Sequence, residues 1–241
     1  PSFLQLASSL RPGQGPSQFG MPGCVWDGSQ EVPTRRAGLC VLEAAGLAFL
    51  VTCYVSFLKC GSTMSRSKKR HDELRADGAE PRTLEEAALS AEKYPNVVFS
   101  AAPGGNDDYP AAVRRALGLW KGAPGHFVFT SSGGIYAEQD GGVVDESSLV
   151  ADGPRAKKLV DCEKLVLEGG GTVLRLAGLY SLERGAHNYW LSQEKVDGRP
   201  DGLIGLVSYE DSAGAALAAL KCPEDIGGEV PRTPCRYRTL P

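Results

Sequence analysis

Residues Phe127 to Glu138 read FVFTSSGGIYAE. An apolar run of aromatic and β-branched residues ends on three hydroxyls, Thr130, Ser131 and Ser132. Gly133 and Gly134 follow, with Tyr136 two positions further on. A short apolar run closed by turn residues predicts a buried strand. The abrupt change to hydroxyls predicts that this strand ends at a surface that uses polar groups.

Both flanks alternate in the same way. Upstream, NVVFSAAP (96–103) predicts a strand stopped by Pro103. DYPAAVRRALGLW (108–120) predicts an amphipathic helix with Ala112, Leu117 and Trp120 among its apolar positions. Earlier still, SRSKKRHDELRADGAEP (65–81) predicts a charged helix closed by Gly78. TLEEAALSAEKY (83–94) predicts a helix opened by a Thr83–Glu86 capping box. Downstream come a helix in PRAKKLVDCEKLVLE, a strand in GTVLRLAGLY, the stretch GLIGLVSYED, and an alanine-rich helix in SAGAALAALK capped by Asp211. Strands alternating with helices predict an α/β fold with a parallel sheet covered on both faces.

Ligands of such sheets sit outside the carboxyl ends of the strands. That places Thr130, Ser131 and Ser132 at a ligand crevice. Ser100, Ala101, Ala102 and Pro103, which end the preceding strand, are small enough to let a flat or extended ligand approach. The plain alternative for TSSGG is a strand-ending turn.

The 241 residues carry a formal net charge of −3 and are 42% hydrophobic, which suits one globular domain with a real core and gives no nucleic-acid footprint. The seven cysteines form no CxxC pair and read as reduced thiols. The three histidines lie far apart and near no cysteine pair, so no metal site is expected.

Pro1 to Arg36 shows no periodicity and many turn residues, and residues 1–38 are expected to be disordered or a gene-model artefact. Leu39 to Leu58 (LCVLEAAGLAFLVTCYVSFL) carries only Glu43 and is close to the length of a membrane helix. Its rival interpretation, favoured by the pattern downstream, is a buried strand, a turn at Glu43–Gly46, a crossover helix over Leu47–Leu58 and a second strand near Gly61–Ser65. A globular domain then occupies 39–241.

From about Arg66 to Leu220 the chain resembles the atypical, extended short-chain dehydrogenase/reductases. These are the NAD-dependent epimerase/dehydratase-like proteins, plant and algal members among them. The resemblance is carried by NVVFSAAP, Asp108–Tyr109, FVFTSSGGIY, VVDES, CEKLVLEGGGTVLRLAGLY, ERGAHNYWLS and LVSYEDSAGAALAAL. It implies a Rossmann-like parallel sheet and a site for NAD or NADP at the strand ends. Gly46, Ser100–Pro103 and Thr130 would line the cofactor, with Ser131, Ser132 and Tyr136 as catalytic candidates. Arg175, Tyr180, Arg184 and His187 would face a small, sugar-like substrate. A cytoplasmic or plastid-stromal location is implied in the same way.

Three departures from the family pattern bear on function. The GxGxxG turn is replaced by EAAGLAFL, which keeps Gly46 and sets Glu43 where phosphates would be repelled. The YxxxK positions carry Arg155 and Leu159, neither of which can pass a proton at neutral pH. The chain also stops soon after the alanine-rich helix, so the sheet is expected to be incomplete at both ends and the substrate region short. Two outcomes stay open: an oxidoreductase or epimerase that uses NAD(P), or a Rossmann-derived binding protein, a pseudoenzyme or truncated isoform, without catalysis.

Overall fold

The computed structural model describes residues 39–42, 62–65, 67–76, 78–90, 92–104, 106–182, 184–193, 195 and 202–221. Six short strands form one sheet: β1 (Leu39–Leu42), β2 (Ser62–Ser65), β3 (Glu80–Thr83), β4 (Asn96–Phe99), β5 (Phe127–Ser132) and β6 (Thr172–Leu176). The helices described alongside them are α1 (His71–Ala76), α2 (Leu84–Ala88), α3 (Tyr109–Leu119), α4 (Pro154–Glu168), α5 (Ala186–Leu191) and α6 (Tyr209–Lys221). Every pairing in the sheet is parallel, and the order across it is β3-β2-β1-β4-β5-β6. That order reverses direction between β1 and β4, which is the switch point of a doubly wound sheet. The strand expected before Glu43 and the one expected near Gly61–Ser65 are both present, as Leu39–Leu42 and Ser62–Ser65, so Leu39–Leu58 does not form one continuous helix. Among the described residues no helix is long and apolar enough to cross a membrane. The turn at Glu43–Gly46 and the crossover over Leu47–Leu58 lie outside the described residues.

Alternation along β4 and β5 sorts the core into two layers. Val97, Phe99, Phe127 and Phe129 face α3 and α4. Val98 and Val128 face α1 and α6. In the first layer Phe99, Tyr109 and Phe129 stack at tilted centroid distances of 5.8 to 6.3 Å. Each such buried aromatic contributes about 1.5–3 kcal/mol relative to exposure. The buried stripe of α3 is Tyr109, Val113 and Ala116. Ala112 and Leu117 are half-buried, and Trp120 lies just past the helix end, where its indole donates to the Pro95 carbonyl at 2.9 Å.

Local signals hold where they carry a hydrogen bond. Gly78 closes α1 at a φ of 92°, a backbone state that favours glycine. Thr83 and Glu86 make the reciprocal capping box of α2, at 3.1 and 2.9 Å. Two expectations are corrected. GTVLRLAGLY is two strands, because the chain leaves the main sheet at Ala177 and β7 (Gly178–Tyr180) pairs with β8 (Leu206–Ser208) in a separate sheet. The cap of α6 is Ser208 rather than Asp211. The helix starts at Tyr209, and the Ser208 hydroxyl accepts from the Asp211 amide and donates to its carboxylate, both at 2.9 Å.

Candidate functional site

β4 and β5 deliver their last residues to one edge of the sheet. After Phe99 the chain continues through Ser100, fully buried, and through Ala101, Ala102 and Pro103, which are half-buried. Tyr109 anchors this exit: its hydroxyl donates to the Ala101 carbonyl at 2.7 Å. Burial pushes the Tyr109 phenol well above its usual range, so it stays a donor. Asp108 caps the same helix by accepting from the Ala111 amide at 2.9 Å. Tyr109 is therefore what ties the backbone leaving β4 to α3, while Asp108 caps that helix.

The three hydroxyls of β5 part company. Thr130 donates across the sheet to the Phe99 carbonyl at 3.4 Å. Ser131, on the α4 face, is buried and donates to Glu163 Oε1 at 2.5 Å. Ser132 points to the opposite face, where its oxygen accepts from the Gly134 amide at 3.2 Å and opens the 3-10 turn Gly133–Ile135. Ser132 therefore keeps its own hydroxyl proton for another partner.

Glu163, absent from the residues that the sequence put forward for the site, organises the other half of the region. Its side chain is 4% exposed and receives Arg175 as a fork, with Nη2 at 2.7 Å and Nε at 3.1 Å from Oε2. Arg175 is the cross-strand partner of Ser131. Its Nη1 donates to the Tyr136 hydroxyl at 3.1 Å and to the Glu146 carbonyl at 3.4 Å, and its guanidinium lies 5.2 Å from the Tyr136 ring centroid. Burial works against the charge on Arg175, but the Glu163 carboxylate and then the Tyr136 hydroxyl hold its pKa above the usual value. Ser131, Tyr136 and Arg175 thus converge on one buried ion pair, with these polar atoms engaged inside the protein. A signal was present in the sequence: a lone carboxylate between Cys162 and Val166, on the apolar face of a helix, must find a cation. The neighbouring Cys162 thiol is pushed up to about 11 by burial and is an inert core group.

Arg184, Tyr180 and His187 form a different group. All three follow or end β7, and His187 stands in the first turn of α5. A Cβ on Gly185 would lie 2.8 Å from the His187 ring and 2.9 Å from Tyr180 Cβ, so Gly185 packs closely against His187 and Tyr180. His187 Nε2 lies 3.4 Å from the Leu182 carbonyl, and Arg184 is exposed. At the positions where a YxxxK pair would fall, Arg155 is exposed in the first turn of α4 and Leu159 is core, 3% exposed. Gly46 lies outside the described residues. No group of three or more metal-ligating side chains occurs among the described residues.

A six-stranded parallel sheet in the order 3-2-1-4-5-6, covered on both faces, defines a Rossmann-type domain. Solved structures bear this out. One from Methylobacillus flagellatus, assigned to the NAD-dependent epimerases/dehydratases, superposes with a TM-score of 0.61 at 18% identity over 76% of this chain and 69% of that one. MoeE5 in complex with UDP-glucose and NAD gives 0.59 at 15% identity over 78% and 73%. The UDP-N-acetylglucosamine 4-epimerase from Bacillus cereus gives 0.55 at 16% over 77% and 72%. At such identities the likeness establishes the fold. No family model and no curated protein sequence matches this chain.

Proposed function

We propose that this protein binds NAD or NADP in the crevice outside the carboxyl ends of β1, β4 and β5, as a relative of the epimerase/dehydratase-type Rossmann proteins acting on a small, sugar-like ligand. The observation that carries this is the exit geometry of β4 and β5, on one side of the switch point between β1 and β4. Ser100–Pro103 and Ser132–Gly134 set no side chain larger than proline there, and Ser132 holds an uncommitted hydroxyl proton. These small groups fit the close approach of an extended dinucleotide. Bound NAD(P) would supply hydride transfer. Ser100 to Pro103 would line the nicotinamide half, and Ser132 would donate to a ligand oxygen. Ser131, Tyr136 and Arg175 would act as support, because their polar atoms already meet Glu163 or one another. Arg184 and His187, beside β7, are the groups for an anionic part of the substrate. A second reading, binding without turnover, is favoured by Leu159: a core leucine stands where the proton-relaying lysine would be.

Titration with NADH and NADPH, followed by cofactor fluorescence or calorimetry, tests the proposal. At least one dinucleotide should bind with a Kd of order 100 μM, about 5.5 kcal/mol, because EAAGLAFL offers a poor phosphate turn. Ser132→Ala should weaken that binding by about 0.5–1.5 kcal/mol, one hydrogen bond, with little change in melting. Absence of binding by either nucleotide into the millimolar range removes the proposal.

A further inference from the structure

The exit of β2 bears on which dinucleotide is taken. β2 lies beside β1 on the side away from β4. In a doubly wound sheet the adenosine ribose reaches the end of this second strand, where a carboxylate holds its 2′-hydroxyl or a cation accommodates a 2′-phosphate. Here the strand ends at Ser65 and the chain runs on through Ser67, Lys68, Lys69 and Arg70. No aspartate or glutamate occurs anywhere between Glu43 and Asp72. A carboxylate to grip the hydroxyl is therefore missing from this stretch.

The segment is also built. The Ser65 hydroxyl donates to the Ser67 carbonyl at 2.8 Å and lies 2.9 Å from Nε2 of His71, which is 3% exposed. That pair pins the backbone as it leaves β2 and sets Ser67 and Lys69 on the exposed side. Most nearby charges are matched: Lys68 with Glu86 at 2.6 Å, Arg70 with Glu73 at 2.5 Å, Arg75 with Asp72 at 2.8 Å. Lys69 makes no ion pair among the described residues, and Ser67 is exposed beside it. A hydroxyl and an unmatched ammonium side by side suit a phosphate, and the Glu86 carboxylate beside them is held by Lys68.

We propose that this exit selects the 2′-phosphorylated dinucleotide, NADP(H), over NAD(H), through Lys69 and Ser67. The inference rests on the dinucleotide reading above and sharpens it. Calorimetric titration of the full chain with NADPH and NADH at low salt should show NADPH binding at least about tenfold tighter, which corresponds to about 1.4 kcal/mol. The gap should narrow at high salt, because the contact is exposed and screened. Lys69→Glu, at an exposed position outside the core, should cut NADPH affinity about tenfold and leave NADH within about twofold. 2′,5′-ADP should compete with NADPH better than 5′-ADP does. Equal affinities, or tighter NADH, overturn this inference and leave dinucleotide binding standing. Binding of neither nucleotide overturns both.

Discussion

Glu163 and Arg175 belong to different elements, α4 and β6, yet they meet where almost no water reaches. A buried carboxylate stripped of its cation is far worse off than the intact pair, because its desolvation is no longer offset. Arg175→Ala should therefore destabilise the protein by about 3–5 kcal/mol. In a domain of this size that lowers Tm by roughly 10 °C, which calorimetry or a dye-based melt would register. Ser131→Ala removes one donor to the same carboxylate and should cost about 1–3 kcal/mol. Nucleotide affinity should stay within about twofold for Ser131→Ala, since its hydroxyl faces Glu163 and not the crevice. Were Ser131→Ala to weaken nucleotide binding and spare Tm, the assignment of support to Ser131 and contact to Ser132 would be reversed. The sequence could not separate these two serines. Neighbours on one strand look alike in one dimension, and only the alternation of faces, with Glu163 waiting on one side, tells them apart.

At the level of elements, what could be read in advance was whatever carried its own punctuation. α4 runs from Pro154 to Glu168 as its apolar spacing and flanking glycines imply, and β5 ends on its hydroxyls. β3 is not legible because EPRT contains no apolar side chain except proline; it is an edge strand, where the missing amide of Pro81 is tolerated. The break at Ala177 is equally silent, since LRLAGLY continues the same apolar rhythm across two sheets. α2 shows the opposite case, a short helix whose beginning is legible from two residues. Lys68, and then the Thr83 amide, hold Glu86 down to about 2 against an ordinary 4.5. A depressed carboxylate stabilises the fold above its unfolded pKa and loses that effect as pH falls through the folded one. Glu86→Gln keeps an acceptor for the capping box and removes only the charge. Its Tm should fall below wild type near neutral pH, and the gap should close as pH drops from about 4.5 toward 2. A gap independent of pH would mean that the side chain acts through packing, not through charge.

Across the whole molecule, everything depends on where β1 sits. Leu39–Leu42 is hydrogen-bonded to β2 on one side and to β4 on the other, in the middle of six strands. Hydropathy alone could not decide between a bilayer helix and this strand, since a central parallel strand is buried on both faces and reads as continuously apolar. Pairing decides it. Were Leu39–Leu58 to span a membrane, β2 and β4 would each lose their inner partner. Backbone donors and acceptors would then be left unmatched at the centre of the sheet, at a cost of several kcal/mol in total. The switch point would vanish with them, and so would the crevice on which the proposed dinucleotide binding depends. Leu39–Leu58 should therefore not anchor the chain, and protein expressed with this segment should be released from membranes by carbonate wash. A direct test lies at Val41, whose Cα partners are Thr63 and Val98. Val41→Pro removes a ladder amide from a central strand and should abolish the cooperative melt. Retention in carbonate-washed membranes, with a melt unchanged by Val41→Pro, would put Leu39–Leu42 outside the sheet and the dinucleotide crevice in doubt.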